Sequence, residues 1–70
     1  GVAITKTSGL AGIAYWINER YGLKGDKAVT KQHPIVLALK GWIDSQYEDG
    51  RQSSLTDEEV EAQIEKMKGL

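Results

Sequence analysis

The sequence predicts a small all-α domain of three helices, spanning about residues 8–21, 31–49 and 56–68. Three observations predict it: apolar residues recur at helical spacing in each segment, glycines stand where the first two patterns stop, and a complete capping signature opens the third. No segment alternates apolar and polar residues except 1–5, where Val2 and Ile4 allow a short extended arm. The domain is therefore read as residues 8–70, preceded by an N-terminal arm at 1–7.

In the first helix Leu10, Ile13, Ala14 and Ile17 follow one another at helical spacing, with Thr7 or Ser8 placed to cap the start. Gly22 follows Tyr21 as a C′ glycine, free to take the left-handed conformation that ends a helix, and Leu23 can then fold back onto Ile17. Gly9 and Gly12 each weaken this helix by about 1 kcal/mol relative to alanine. Either another backbone approaches closely there, or the first turn is partly unwound.

The second helix starts between Thr30 and Pro34 and runs to Asp49, with Gly50 as its stop. Proline is tolerated in a first turn because those amides lack intrahelical partners. Ile35, Leu39, Trp42 and Ile43 form an apolar face that Val36 and Tyr47 widen. Residues 35–39 are apolar without a break, so this central helix is expected to be covered on more than one side. The third helix has the clearest start. Thr56 and Glu59 spell a capping box, Leu55 and Val60 occupy the positions of a hydrophobic staple, and Asp57 and Glu58 complement the helix dipole. Lys66 and Lys68 stand near its other end, and Val60, Ile64 and Met67 form its apolar stripe. Residues 24–29 and 51–54 read as polar connections of ordinary length.

Composition limits the function classes. Seventy residues form one domain at most, and below roughly 70–80 residues a single core supplies only about 3–5 kcal/mol. There is no cysteine, hence no disulfide staple, thiolate ligand or thiol nucleophile, and one histidine cannot complete a usual zinc site. A hydrophobic content of 40%, a charged content of 27% and a net charge of −1 describe a folded chain without the basic surplus that drives phosphate-backbone binding. The longest apolar run is far short of the roughly 20 residues that span a bilayer, and no leader-like segment opens the chain. Neither nucleic acid nor membrane is expected as a partner, and the cytoplasm is the expected compartment.

Few residues could carry chemistry. His33 could act as an acid or base, but it precedes Pro34 in a first helical turn with no carboxylate fixed beside it by local spacing, which suits a solvent-facing or capping role. Residues 6–12, Lys-Thr-Ser-Gly-Leu-Ala-Gly, lead a lysine and small residues into a helix N-terminus, where free amides favour anions. The glycine and lysine spacing is not that of a phosphate-binding P-loop, nor is there a nucleophile elbow, so capping with close packing competes with anion or substrate contact. Trp16, Trp42, Tyr15, Tyr21 and Tyr47 suit core filling, yet Tyr15 and Trp16 point about 100° apart on one helix and cannot both face one small core. One of them is expected to meet a partner surface, and Trp16, Tyr21 and Trp42 are the interface candidates. The acidic set Asp57, Glu58, Glu59, Glu61 and Glu65 reads as a solvated helix face.

The order of these motifs resembles the subdomain that follows the barrel in the family of 2-isopropylmalate, homocitrate, citramalate and Re-type citrate synthases. Lys6, Ser8 and Gly9 resemble that family's Gly-Lys-x-Ser-Gly run, with Thr5 in place of its leading glycine. Gly12, Ala14 and Tyr15 are similar to its Gly-Gly-Val-Ala-Tyr run, with Ala11 and Ile13 as substitutes. Tyr21, Gly22 and Leu23 look like the turn ending that helix, and Gly50, Arg51 and residues 54–59 like the closing loop and capped helix. The resemblance implies a parent enzyme of amino-acid biosynthesis whose barrel binds a divalent metal and condenses an acyl-coenzyme A with a 2-oxo acid. It implies an accessory role here: linking the barrel to later regions and packing at a neighbouring subunit, with Lys6, Ser8, Gly9, Gly12 and Tyr15 as motif contacts to substrate or subunit. No catalytic, cofactor or metal residue carries over, because the barrel is absent. The rival expectation is an autonomous three-helix module that docks onto another protein through Trp16 or Trp42.

Overall fold

A computed structural model describes residues 3–67, so Val2, Lys68 and the end expected for the third helix lie outside the described residues. Three helices form as the periodicity predicts: α1 Leu10–Tyr21, α2 Pro34–Glu48 and α3 Asp57–Met67, with a single 3-10 turn at Gly25–Lys27 between the first two. Helix α2 is central and packs against both α1 and α3. Ile13, Ile17, Val36, Leu39, Ile43 and Val60 are fully excluded from solvent, and Leu10, Leu23, Trp42, Tyr47 and Met67 pack half-buried around that core.

The helix ends explain where each pattern stops. Gly22 is left-handed at φ 64°, and the Leu23 N–H donates to the Asn18 carbonyl at 2.9 Å, returning the chain onto α1. After α2, Gly50 lies at φ 104°, its N–H donates to Tyr47 and the Arg51 N–H donates to Gln46, which together close a Schellman motif. Pro34 is the first residue of α2, and the Ile35 N–H donates to His33 Nδ1 at 3.1 Å, so His33 is the cap. Residues 31–33 therefore belong to a turn outside the helix. The capping box at α3 is closed in both directions: the Glu59 N–H donates to Thr56 Oγ1 at 3.1 Å, and the Thr56 N–H donates to Glu59 Oε1 at 3.0 Å.

Three expectations are corrected by packing. Helix α1 begins at Leu10, not at residue 8, because its N-cap is Gly9, which offers no side-chain acceptor; Ser8 is spent on a turn instead. A Cβ at Gly9 or Gly12 would meet nothing within 4 Å, so neither glycine accommodates a close backbone within this chain, and Gly12 sits in regular helix. Helix α2 is covered on two sides as expected, by α1 and by α3, while Leu37 is 51% exposed on its outer face. The segment 24–29 is more than a polar link: the Asn18 side chain pairs with both the N–H and the carbonyl of Val29, and Val29 is buried.

The N-terminal arm joins the core. Ile4 is 1% exposed and forms an isolated antiparallel bridge with Leu55, whose N–H donates to the Ile4 carbonyl at 3.0 Å. The arm thereby lies beside the capped start of α3.

Candidate functional site

The family-like residues form a tight turn fixed at both flanks. Beyond the Ile4 bridge, the Thr5 N–H donates to Ser8 Oγ at 2.9 Å and the Ser8 N–H donates to the Thr5 carbonyl at 3.1 Å. This leaves Lys6 and Thr7 as an exposed tip. Directly after it, Gly9 starts α1 without a side-chain cap, and Tyr15 stands 51% exposed one turn beyond Gly12. Lys6, Gly9 and Tyr15 are thus accessible, and Ser8 and Gly12 half-buried, along the N-terminal edge of α1.

Two open grooves flank the Lys6 tip, and both are also lined by Tyr47. The larger, about 390 Å³, is lined by Thr5, Lys6, Thr7, Tyr47, Arg51, Gln52 and Ser54. The smaller, about 380 Å³, is lined by Lys6, Asp44, Tyr47 and Glu48. The first carries hydroxyls, an amide and cations; the second sets a lysine against two carboxylates. Among the described residues the Lys6 ammonium has no hydrogen-bonded partner, whereas the Tyr47 hydroxyl donates to the Ser53 carbonyl at 2.7 Å.

Arg51 is not available to a ligand in that groove. Its Nε donates to the Ser53 carbonyl, its terminal nitrogens donate to Gln46, Ser54 and both carboxylate oxygens of Glu59, and these five bonds use all five guanidinium donors. The fork holds the connection 51–54 onto the cap of α3. The Arg51 guanidinium, followed by the Thr56 N–H, pulls the Glu59 carboxyl down from 4.5 to about 2. A group more acidic in the folded chain than in the unfolded one stabilises the fold above its unfolded pKa and loses that contribution as it protonates. Stability is therefore expected to fall as pH drops from 4.5 towards about 2, and Glu59→Gln to flatten that part of an acid titration followed by far-UV circular dichroism. An unchanged titration in the variant would contradict the assignment.

The aromatic side chains divide between core and surface. Trp16 is 5% exposed, and its indole N–H donates to Asp57 Oδ1 at 3.0 Å, so of the adjacent pair it is Tyr15 that faces solvent. Trp16 thus leaves the set of surface candidates, Trp42 is half-buried against the core, and Tyr21 is 38% exposed. The Tyr21 ring meets Trp16 edge-on at 6.5 Å between centroids, and burial, then Glu61 and Glu65, push its phenol up. Arg20 donates to Glu61 at 2.7 Å and lies 3.5 Å from Asp57, joining α1 to α3 and holding the Glu61 carboxyl low.

Sequence reasoning gave no role to the side chains of three residues that brace the chain around this edge. Lys40 of α2 donates to the Ser8 carbonyl at 3.2 Å and to Asp44 at 2.9 Å. Asn18 and Arg51 fix the two connections. Only the i,i+4 pairing of Lys40 with Asp44 had a local signal. No group of three metal-ligating side chains converges among the described residues, and no helix there is long and apolar enough to cross a membrane.

No protein-family model matches the chain, and no solved structure matches it significantly. Curated proteins do. The chain is 49% identical over 63 residues to a citrate (Re)-synthase of Syntrophus aciditrophicus, covering 90% of this chain and 10% of that protein. It is 39% identical over 66 residues to a citrate (Re)-synthase of Clostridium kluyveri, covering 94% of this chain and 15% of that protein. It is 38% identical over 65 residues to a 2-phosphinomethylmalate synthase of Streptomyces hygroscopicus, covering 93% and 14%. The chain therefore matches nearly end to end, but spans only 10–15% of these relatives.

Proposed function

We propose that this chain, which belongs as a small piece to the family of citrate (Re)-synthase and 2-phosphinomethylmalate synthase, is an accessory helical subdomain of an acyl-coenzyme A condensing synthase. In this reading it links the catalytic barrel to later regions and packs at a contact between subunits. The acyl-coenzyme A, the 2-oxo acid and the divalent metal are held by the barrel, and this segment contributes contacts rather than bond-making groups. The barrel of its own chain and a neighbouring subunit are its partners.

One observation supports this reading above the others. The residues that match the family's motifs form an accessible edge whose glycines have nothing close to them: a Cβ at Gly9 or Gly12 finds open space. Gly12 weakens α1 without serving its own packing, and such a glycine suits a backbone that arrives from outside; Gly9, as the N-cap, carries no such cost.

Gly12→Leu tests it through opposite signs. In the isolated chain the substitution is expected to leave the fold intact and to stabilise it by about 0.5–1 kcal/mol in urea unfolding, since leucine favours a helix and its Cβ enters open space. In the full-length protein the same side chain is expected to obstruct docking and lower acyl-coenzyme A condensation roughly tenfold, the effect of about 1.4 kcal/mol. Full activity in Gly12→Leu would sink the docking role. Release of free coenzyme A by the isolated chain, given acetyl-coenzyme A, a 2-oxo acid and magnesium, would sink the accessory role.

A further inference from the structure

Among the described residues, one hydrogen bond ties the turn that carries the family-like residues to α2, and Lys40 makes it. The Lys40 ammonium donates to the Ser8 carbonyl at 3.2 Å, across 32 residues of sequence, and is aimed by Asp44, which accepts from it at 2.9 Å. Its side chain is 30% exposed while that of Asp44 is 48% exposed, so the lysine stem lies along the protein and the pair faces water on the carboxylate side. Ser8 is the hinge of the arrangement. Its hydroxyl and amide close the turn onto Thr5, and its carbonyl immediately precedes Gly9, the uncapped start of α1. On the far side the turn is held by the Ile4 bridge to Leu55. A carbonyl fixed by an ammonium sets the plane of the peptide between Ser8 and Gly9, and with it the direction in which Lys6, Thr7 and the first amides of α1 are presented.

We infer that Lys40 is a positioning residue: through the Ser8 carbonyl it fixes the orientation of the turn at residues 5–8, so that the tip formed by Lys6 and Thr7 meets the rest of the enzyme in one geometry. This rests on the accessory-subdomain reading for its catalytic consequence, but not for its structural one. Asp44 serves by neutralising and orienting the lysine, which would otherwise be free to swing into solvent.

Lys40→Met removes the ammonium and keeps the length and apolar stem, and Lys40→Arg restores a cationic donor. In the 70-residue chain, amide exchange by NMR is expected to accelerate about tenfold at Thr5 and Ser8 in Lys40→Met, to be unchanged at Val36 and Ile43, and to recover in Lys40→Arg. In the full-length protein Lys40→Met is expected to lower kcat/KM for condensation about tenfold with an unaltered melting temperature, and Lys40→Arg to rescue most of that loss. Unchanged exchange at Thr5 and Ser8, or acceleration that spreads through the core amides, overturns the positioning role. Faster turn exchange with full activity leaves the local positioning of the turn standing and overturns its consequence for condensation, while the accessory-subdomain reading fails separately, by full activity in Gly12→Leu.

Discussion

Leu39→Ala is expected to leave the chain largely unfolded at 25 °C. Leu39 is fully excluded from solvent at the middle of α2, the helix that packs on both of the others. Truncating a buried leucine removes its transfer free energy and leaves a cavity, costing about 2–5 kcal/mol. A core of this size supplies about 3–5 kcal/mol in total, so the loss consumes most of the margin. Leu37→Ala, two residues away on the exposed face, is expected to change stability by no more than about 0.5 kcal/mol. Urea unfolding followed by far-UV circular dichroism measures both. Similar midpoints for the two variants would contradict the placement of α2.

Trp16→Ala is expected to cost about 3–5 kcal/mol, an effect at least as large. The indole fills space between α1 and the start of α3, packs edge-on against Tyr21 and donates its N–H to Asp57. Trp16→Phe separates the contributions. It keeps an aromatic ring in the core and loses the hydrogen bond, and because the Asp57 side chain is 49% exposed, water takes over as its donor. A loss of about 1 kcal/mol is expected for that variant. If Trp16→Phe were as damaging as Trp16→Ala, packing would not be the main role of this residue; if Trp16→Ala were harmless, the indole would be a surface group.

Most of the fold was legible because its signals are local. The capping box at Thr56 and Glu59, the stops at Gly22 and Gly50, and Pro34 in a first turn each involve residues within one helical turn, and the stripes at Ile13, Ile17, Leu39, Ile43, Val60 and Ile64 follow from period alone. What could not be read is set by contacts between distant residues. Ile4 reaches Leu55, Trp16 reaches Asp57 and Lys40 reaches Ser8, over separations that no periodicity encodes. The adjacency of Tyr15 and Trp16 showed that the two rings diverge, but only the position of α3 decides which is buried. Residues 31–33 and Ser8 were drawn into helices because helical propensity extends past a cap, whereas the backbone turns at His33 and Gly9. The resemblance groups the motif residues, yet their exposure and the open space at Gly9 and Gly12 appear only in three dimensions.

The central claim is that the edge formed by Lys6, Thr7, Gly9, Gly12 and Tyr15 is a contact surface within a larger synthase. Hydroxyl-radical footprinting of the isolated chain and of the full-length protein, with an added peptide as the radical dosimeter, tests it most directly at Tyr15, which is 51% exposed. The expected result is that Tyr15 is oxidised readily in the isolated chain and strongly protected in the full-length protein at the same radical dose. Equal oxidation of Tyr15 in the two contexts would contradict it.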